Sequence, residues 1–136
     1  MIDTPITVLL VEDEPADAGL TQAGLAGAGD GVFRVEWVTR LADALERLGR
    51  AGIDVVMLDL TLPDGQGLGV FDQVMEAAPD ALVLILSPAR DEAVARLAVQ
   101  RGAHDYLLKG HVDTHLLSRT LRYVIECKAA RDALQN

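Results

Sequence analysis

Runs of apolar residues alternate along this chain with segments in which apolar residues recur every third or fourth position. Val55-Val56-Met57-Leu58, Ile6-Thr7-Val8-Leu9-Leu10-Val11 and Ala81-Leu82-Val83-Leu84-Ile85-Leu86 are continuously or almost continuously apolar, the pattern of strands covered on both faces. Phe33-Arg34-Val35-Glu36-Trp37-Val38 instead alternates apolar with polar, as an edge strand with one wetter face does. The short His104-Asp105-Tyr106-Leu107-Leu108 supplies a fifth strand.

Helical patterns separate these runs. Pro15 suits the first helical position, and Ala16 to Ala28 places Leu20 and Leu25 to face a sheet. Gly19, Gly24 and Gly27 weaken that helix by about 1 kcal/mol each relative to alanine, and Gly29-Asp30-Gly31 ends it. Thr39 is a candidate N-cap for a helix over 40–50 with Leu41, Ala44, Leu45 and Leu48 on one face. Leu68, Phe71, Val74 and Met75 mark a helix over 68–78, stopped by Pro79-Asp80. Val94, Leu97 and Ala98 point inward from one over 90–101, stopped by Gly102, and Asp113 is placed to cap a last helix from Thr114 to about Leu134.

Five strand-then-helix units imply an α/β fold, a parallel sheet with right-handed crossovers and helices on both faces. The three apolar strands are then central. In such sheets ligands bind outside the carboxyl ends of the strands. That edge collects Glu12 and Asp13 after the first strand, Asp59 after the third, Ser87 after the fourth and Lys109 after the fifth.

Composition narrows the classes. With 136 residues, half of them hydrophobic, the chain suffices for one domain. Its apolar runs are too short for a membrane span and its start lacks the pattern of a secretory signal, so a cytoplasmic location without membrane contact is expected. A net charge of −9 disfavours direct nucleic-acid binding. The single Cys127 has no internal disulfide partner, and His104, His111 and His115 show no ligand spacing. The Gly65-Gln66-Gly67-Leu68-Gly69 run follows an acid and a proline turn and reads as a turn and helix entry, not a dinucleotide loop.

Three carboxylates on one rim repel unless neutralised, and a hard divalent cation such as Mg²⁺ is the natural occupant. Lys109 brings a positive charge and Ser87 a hydroxyl, the two groups that hold phosphoryl oxygens. Acids, cation, hydroxyl and lysine together describe phosphoryl transfer, with the central Asp59 as nucleophile.

Four pieces, each after its own strand, carry a resemblance: Val11-Glu12-Asp13-Glu14, Leu58-Asp59-Leu60-Thr61-Leu62-Pro63-Asp64-Gly65, Leu86-Ser87 and Asp105-Tyr106-Leu107-Leu108-Lys109. Over residues 6 to 125 the chain resembles the receiver domain of bacterial two-component response regulators. The resemblance implies a flavodoxin-like doubly wound five-stranded sheet of order 2-1-3-4-5, with residues 1–126 as the domain and 127–136 as a helical extension. It implies that Asp59 accepts a phosphoryl group from a histidine kinase or phosphotransfer protein. Asp13, Asp59 and the main-chain carbonyl of Thr61 would bind Mg²⁺, with Glu12 acting through a water. Ser87 and Lys109 would hold the acyl phosphate, and Tyr106 would swing inward with Ser87. Such a module is a switch rather than a turnover enzyme.

Two positions depart from the family pattern: Gly110 follows Lys109 where proline is common, and Pro88 follows Ser87 where a small residue is common. A trans peptide is expected before Gly110. A Mg²⁺-dependent aspartate-nucleophile phosphohydrolase is the competing enzyme reading, but its second acid two residues after the nucleophile would be Thr61 here. A degenerate receiver that only binds partners is the third. In the last helix Leu117, Leu121, Val124 and Ile125 form a domain-facing stripe, while Thr120, Tyr123, Cys127, Ala130 and Leu134 have the spacing of a seam for a homodimer or a link to an output domain.

Overall fold

The computed structural model describes residues 5–26, 33–110 and 114–135. Strands β1 (Ile6–Val11), β2 (Phe33–Val38), β3 (Val55–Asp59), β4 (Leu82–Ser87) and β5 (Asp105–Leu108) form one sheet. Their order is β2-β1-β3-β4-β5 and every pairing is parallel, the flavodoxin-like order expected from the sequence. Helices α1 (Pro15–Ala26), α2 (Leu41–Leu48), α3 (Leu68–Ala77), α4 (Glu92–Gln100) and α5 (Thr114–Gln135) make the connections and the end of the fold. After β3 a two-residue antiparallel hairpin, Thr61–Leu62 with Gly65–Gln66, stands apart from the sheet.

The apolar strands divide their side chains by parity between two cores, as strand geometry requires. Leu9, Val11, Val56, Leu58, Val83 and Ile85 pack against α2, α3 and α4 through Leu41, Ala44, Phe71, Val74, Ala95 and Ala98. Val8, Leu10, Met57, Leu84 and Leu86 pack against α1 and α5 through Ala18, Leu25, Leu117, Leu121 and Val124. Each fully buried large side chain contributes about 1.5–3 kcal/mol, so the sheet is held rigidly from both sides. Its carboxyl edge is left as a firm platform.

Several local expectations change. Leu20 is 69% exposed while Leu25 is buried. Ala18 and Leu25, two turns apart, define the buried face of α1, and Leu20 lies outside it. In α4 Ala98 is buried and Val94 packs against the core as expected, joined by Ala95, but Leu97 is 46% exposed; a short 3-10 turn at Ala89–Asp91 precedes that helix. Thr39 does not cap α2. Arg40 occupies the N-cap position without a side-chain bond, and the free N–H groups of Leu41 and Ala42 donate instead to Asp64 Oδ1 and Oδ2 at 2.8 and 2.9 Å. The turn after β3 thus caps a helix 22 residues upstream. The glycine break at 29–31 and the Asp113 cap lie outside the described residues.

At the departure from the family pattern, no cis peptide occurs among the described residues, and Gly110 has φ +85°. A proline ring cannot adopt that angle and glycine can. The chain leaves Lys109 through a left-handed glycine.

Candidate functional site

Glu12 and Asp13 follow β1, and two neighbours on β2 fix the Glu12 backbone. Glu12 N–H donates to Val38 O at 3.0 Å, and Trp37 Nε1 donates to Glu12 O at 2.7 Å. The chain turns there so that Glu12 is fully buried and Asp13 exposed. Asp59 ends β3 nearly buried, at 4% exposure. One oxygen of each of Glu12, Asp13 and Asp59 lies within 4.8 Å of the other two.

Lys109 leaves β5 beside β4, its N–H donating to Ser87 O at 2.7 Å. Its ammonium donates to Asp59 Oδ2 at 2.7 Å, and Asp59 Oδ1 accepts the Thr61 N–H at 2.8 Å. Nζ also stands 2.5 Å from Glu12 Oε1, but without hydrogen-bond geometry, so that buried oxygen has no directed partner. Burial pushes the Glu12 carboxyl up to about 8, with Asp59 adding to the rise and Lys109 opposing it. Burial works to lower Lys109, yet its contacts with Asp59 and Glu12 outweigh that and hold it above its ordinary value.

The residues present fit a hard divalent cation. Three converging carboxylate oxygens are the donor set such ions take, and the buried Glu12 Oε1 has no hydrogen-bond partner. A cation's charge would also replace the proton that Glu12 otherwise retains.

Ser87 is 4% exposed and lines, with Asp59, Thr61, Gln66 and Pro88, a cavity of about 250 Å³. Its hydroxyl donates to Pro88 O at 3.0 Å. Glu12, Asp13 and Asp59 are therefore in mutual reach, Lys109 contacts Glu12 and Asp59, and Ser87 borders the same space. Tyr106 is oriented elsewhere: its hydroxyl donates to Glu92 Oε2 at 2.8 Å and accepts from Arg96 Nε at 3.4 Å. Sequence reasoning missed two neighbours. Asp17, in the first turn of α1, has Oδ2 3.3 Å from Lys109 Nζ, and Trp37 holds the Glu12 carbonyl. An acid in a helix's first turn is too common to single out, and an edge-strand tryptophan reads as core.

Comparison with known proteins agrees with this geometry. The response regulator receiver domain family matches residues 8–121. The swarming motility regulation protein RssB of Serratia marcescens is 36% identical over 115 residues, covering 84% of this chain and 51% of that protein. The transcriptional regulatory protein QseB of Haemophilus influenzae is 41% identical over 103 residues, covering 75% of this chain and 45% of that protein. The chain thus spans about half the length of these relatives. The solved signal receiver domain of an HD domain-containing protein from Pseudomonas fluorescens Pf-5 has the same fold, with TM-score 0.82 at 19% identity, covering 98% of this chain and 96% of that one. With that family's model matching residues 8–121 and the sheet in the order of a flavodoxin-like fold, the chain belongs to the receiver domains of two-component response regulators.

Proposed function

We propose that Asp59 is the phosphoacceptor of a signalling switch, taking a phosphoryl group from the phosphohistidine of a histidine kinase or phosphotransfer protein. The observation that carries this reading is the Lys109 ammonium 2.7 Å from Asp59 Oδ2, beside the oxygens of Glu12 and Asp13. A carboxylate oxygen of Asp59 attacks phosphorus as the P–N bond breaks, and the departing imidazole keeps the electron pair and takes a proton from water. Lys109 balances the charge on the transferred group, and the Thr61 N–H orients the carboxylate. Ser87, once its hydroxyl turns from Pro88 O, donates to a phosphoryl oxygen. Mg²⁺ held by Asp13, Asp59 and the Thr61 carbonyl, with Glu12 acting through a water, would supply positive charge to the phosphoryl oxygens.

The remaining parts of the switch follow the same logic. Tyr106 leaves Glu92 and turns inward when Ser87 moves, changing the surface of α4, β5 and α5. The module responds to its own phosphorylation and does not turn over a substrate. Residues 1–126 form the receiver and 127–136 extend α5 towards an output domain or a second copy, since Tyr123 and Leu134 are exposed along that helix. Among the described residues no helix is long and apolar enough to cross a membrane, which supports a cytoplasmic setting; the charge of −9 speaks against direct nucleic-acid contact.

Incubation with acetyl phosphate and Mg²⁺, followed by intact mass, tests the reading. A single phosphoryl adduct that persists for minutes and fails to form in EDTA is expected. Continuous hydrolysis of the donor without an adduct would favour the hydrolase instead. Light scattering with and without residues 127–136, before and after phosphorylation, tests pairing; monomers throughout would leave only the linker role.

A further inference from the structure

We propose that Asp17 is a positioning residue for Lys109, keeping its ammonium at the mouth of the site so that it remains available to the group on Asp59. This rests on the phosphoacceptor reading and concerns how that site keeps its cation in place.

Three carboxylates surround this ammonium, Asp59 through a hydrogen bond and Glu12 and Asp17 as close ion pairs. Nζ stands 2.5 Å from Glu12 Oε1, 2.7 Å from Asp59 Oδ2 and 3.3 Å from Asp17 Oδ2. The three acids are not equivalent. Glu12 and Asp59 are almost fully covered, at 1% and 5% side-chain exposure, whereas Asp17 is at 35%. Glu12 and Asp59 also belong to the group of oxygens that fits a divalent cation. When those two turn to the cation, and Asp59 carries a phosphoryl group, Asp17 is the carboxylate left to Lys109.

The fold fixes Asp17 well enough for that task. The next residue, Ala18, is fully buried in the core shared with Met57, Leu86 and Leu117, which anchors the first turn of α1. Asp17, Lys109, Gly110 and Leu117 line one recess at the end of β4. An acid serving only the helix dipole needs no particular lysine. Here the oxygen meets the same lysine that contacts Asp59.

The sign of a kinetic effect separates positioning from plain charge. The phosphodonor is an anion, so removing a negative charge at the mouth should speed its approach if Asp17 contributes only a field. Loss of positioning should slow the reaction. The 136-residue chain is incubated with acetyl phosphate and Mg²⁺ at high salt, where field effects are screened, and adduct formation is timed by intact mass. Asp17→Asn is expected to be about two- to five-fold slower, the range of a partly exposed ion pair, and Asp17→Glu to recover most of the rate. A second readout needs no activity. Lys109 and Lys128 are the chain's two lysines, so ¹⁵N-lysine labelling gives two Nζ resonances, assigned with Lys128→Arg. In the metal-free protein Asp17→Asn should move the Lys109 resonance and leave the other in place. The proposal stands only if both measurements move as stated; an equal or faster rate, or an unmoved resonance, overturns it. A wild-type chain that forms no adduct would sink the phosphoacceptor reading itself, and this inference with it.

Discussion

Strand β3 is flanked by two aspartates that do opposite things. Asp54, just before it, exchanges bonds with Thr7 on β1: its N–H donates to Thr7 O and its Oδ2 accepts the Thr7 N–H, both at 2.9 Å. Its carbonyl accepts from Leu82 of β4 at 3.2 Å. Asp59, at the other end, is nearly buried and shares one lysine with Glu12 and Asp17. One acid is spent on backbone N–H and closes the sheet. The other is held by groups that can release it, among oxygens that repel one another. A carboxylate matched to the fold serves stability, and one left dependent on a cation is ready for chemistry.

The strongest way to break this contrast is at Asp59. Asp59→Asn keeps the shape, removes the nucleophilic charge, and should abolish the phosphoryl adduct without unfolding the protein; an adduct formed at an unchanged rate would move the phosphoacceptor elsewhere. At the opposite end, Asp54→Ala should leave adduct formation by the folded protein intact and lower stability by about 1–3 kcal/mol, because it removes the acceptor of the Thr7 amide. Urea unfolding and adduct timing on the same variant check both halves.

Glu12 sharpens the comparison through pH. Its folded pKa of about 8 lies above the ordinary 4.5, so between those values the native state retains a proton that the unfolded chain has released. Its contribution is therefore fully present below pH 4.5 and is lost as pH rises through 8. In EDTA, Glu12→Gln should gain on the wild type as pH climbs through that window, by an amount on the order of 1–3 kcal/mol. Parallel pH profiles for the two would contradict the raised pKa.

The smallest effect is expected beyond the turn that follows β3. The N–H groups of Ala42 and Leu41 hold the Asp64 carboxyl below its usual range, so its contribution is present above the ordinary carboxylate pKa and fades as pH falls through the lowered one. Asp64→Ala should slightly lower the urea midpoint at pH 7, with the difference vanishing in strong acid. A midpoint unchanged at pH 7 would show that the cap adds nothing.

Much of this protein was legible in the order of its residues. Unbroken apolar runs at 8–11, 55–58 and 82–86 can be satisfied only by cover on both faces, and that dictated the central strands. The parallel connections then carried Glu12, Asp13, Asp59, Ser87 and Lys109 to one edge, because every strand of such a sheet ends on the same side. Packing phase and long-range polar partners were decided in three dimensions. Periodicity offered Leu20 and Leu97 to the core, yet both are exposed, and the buried positions are Ala18 and Leu25 in α1 and Ala95 and Ala98 in α4. Asp64 caps α2, Asp17 reaches Lys109 and Trp37 holds Glu12 across 22, 92 and 25 positions of chain. A sequence states which groups seek partners, but which distant groups come within about 3 Å depends on how the helices settle on the sheet.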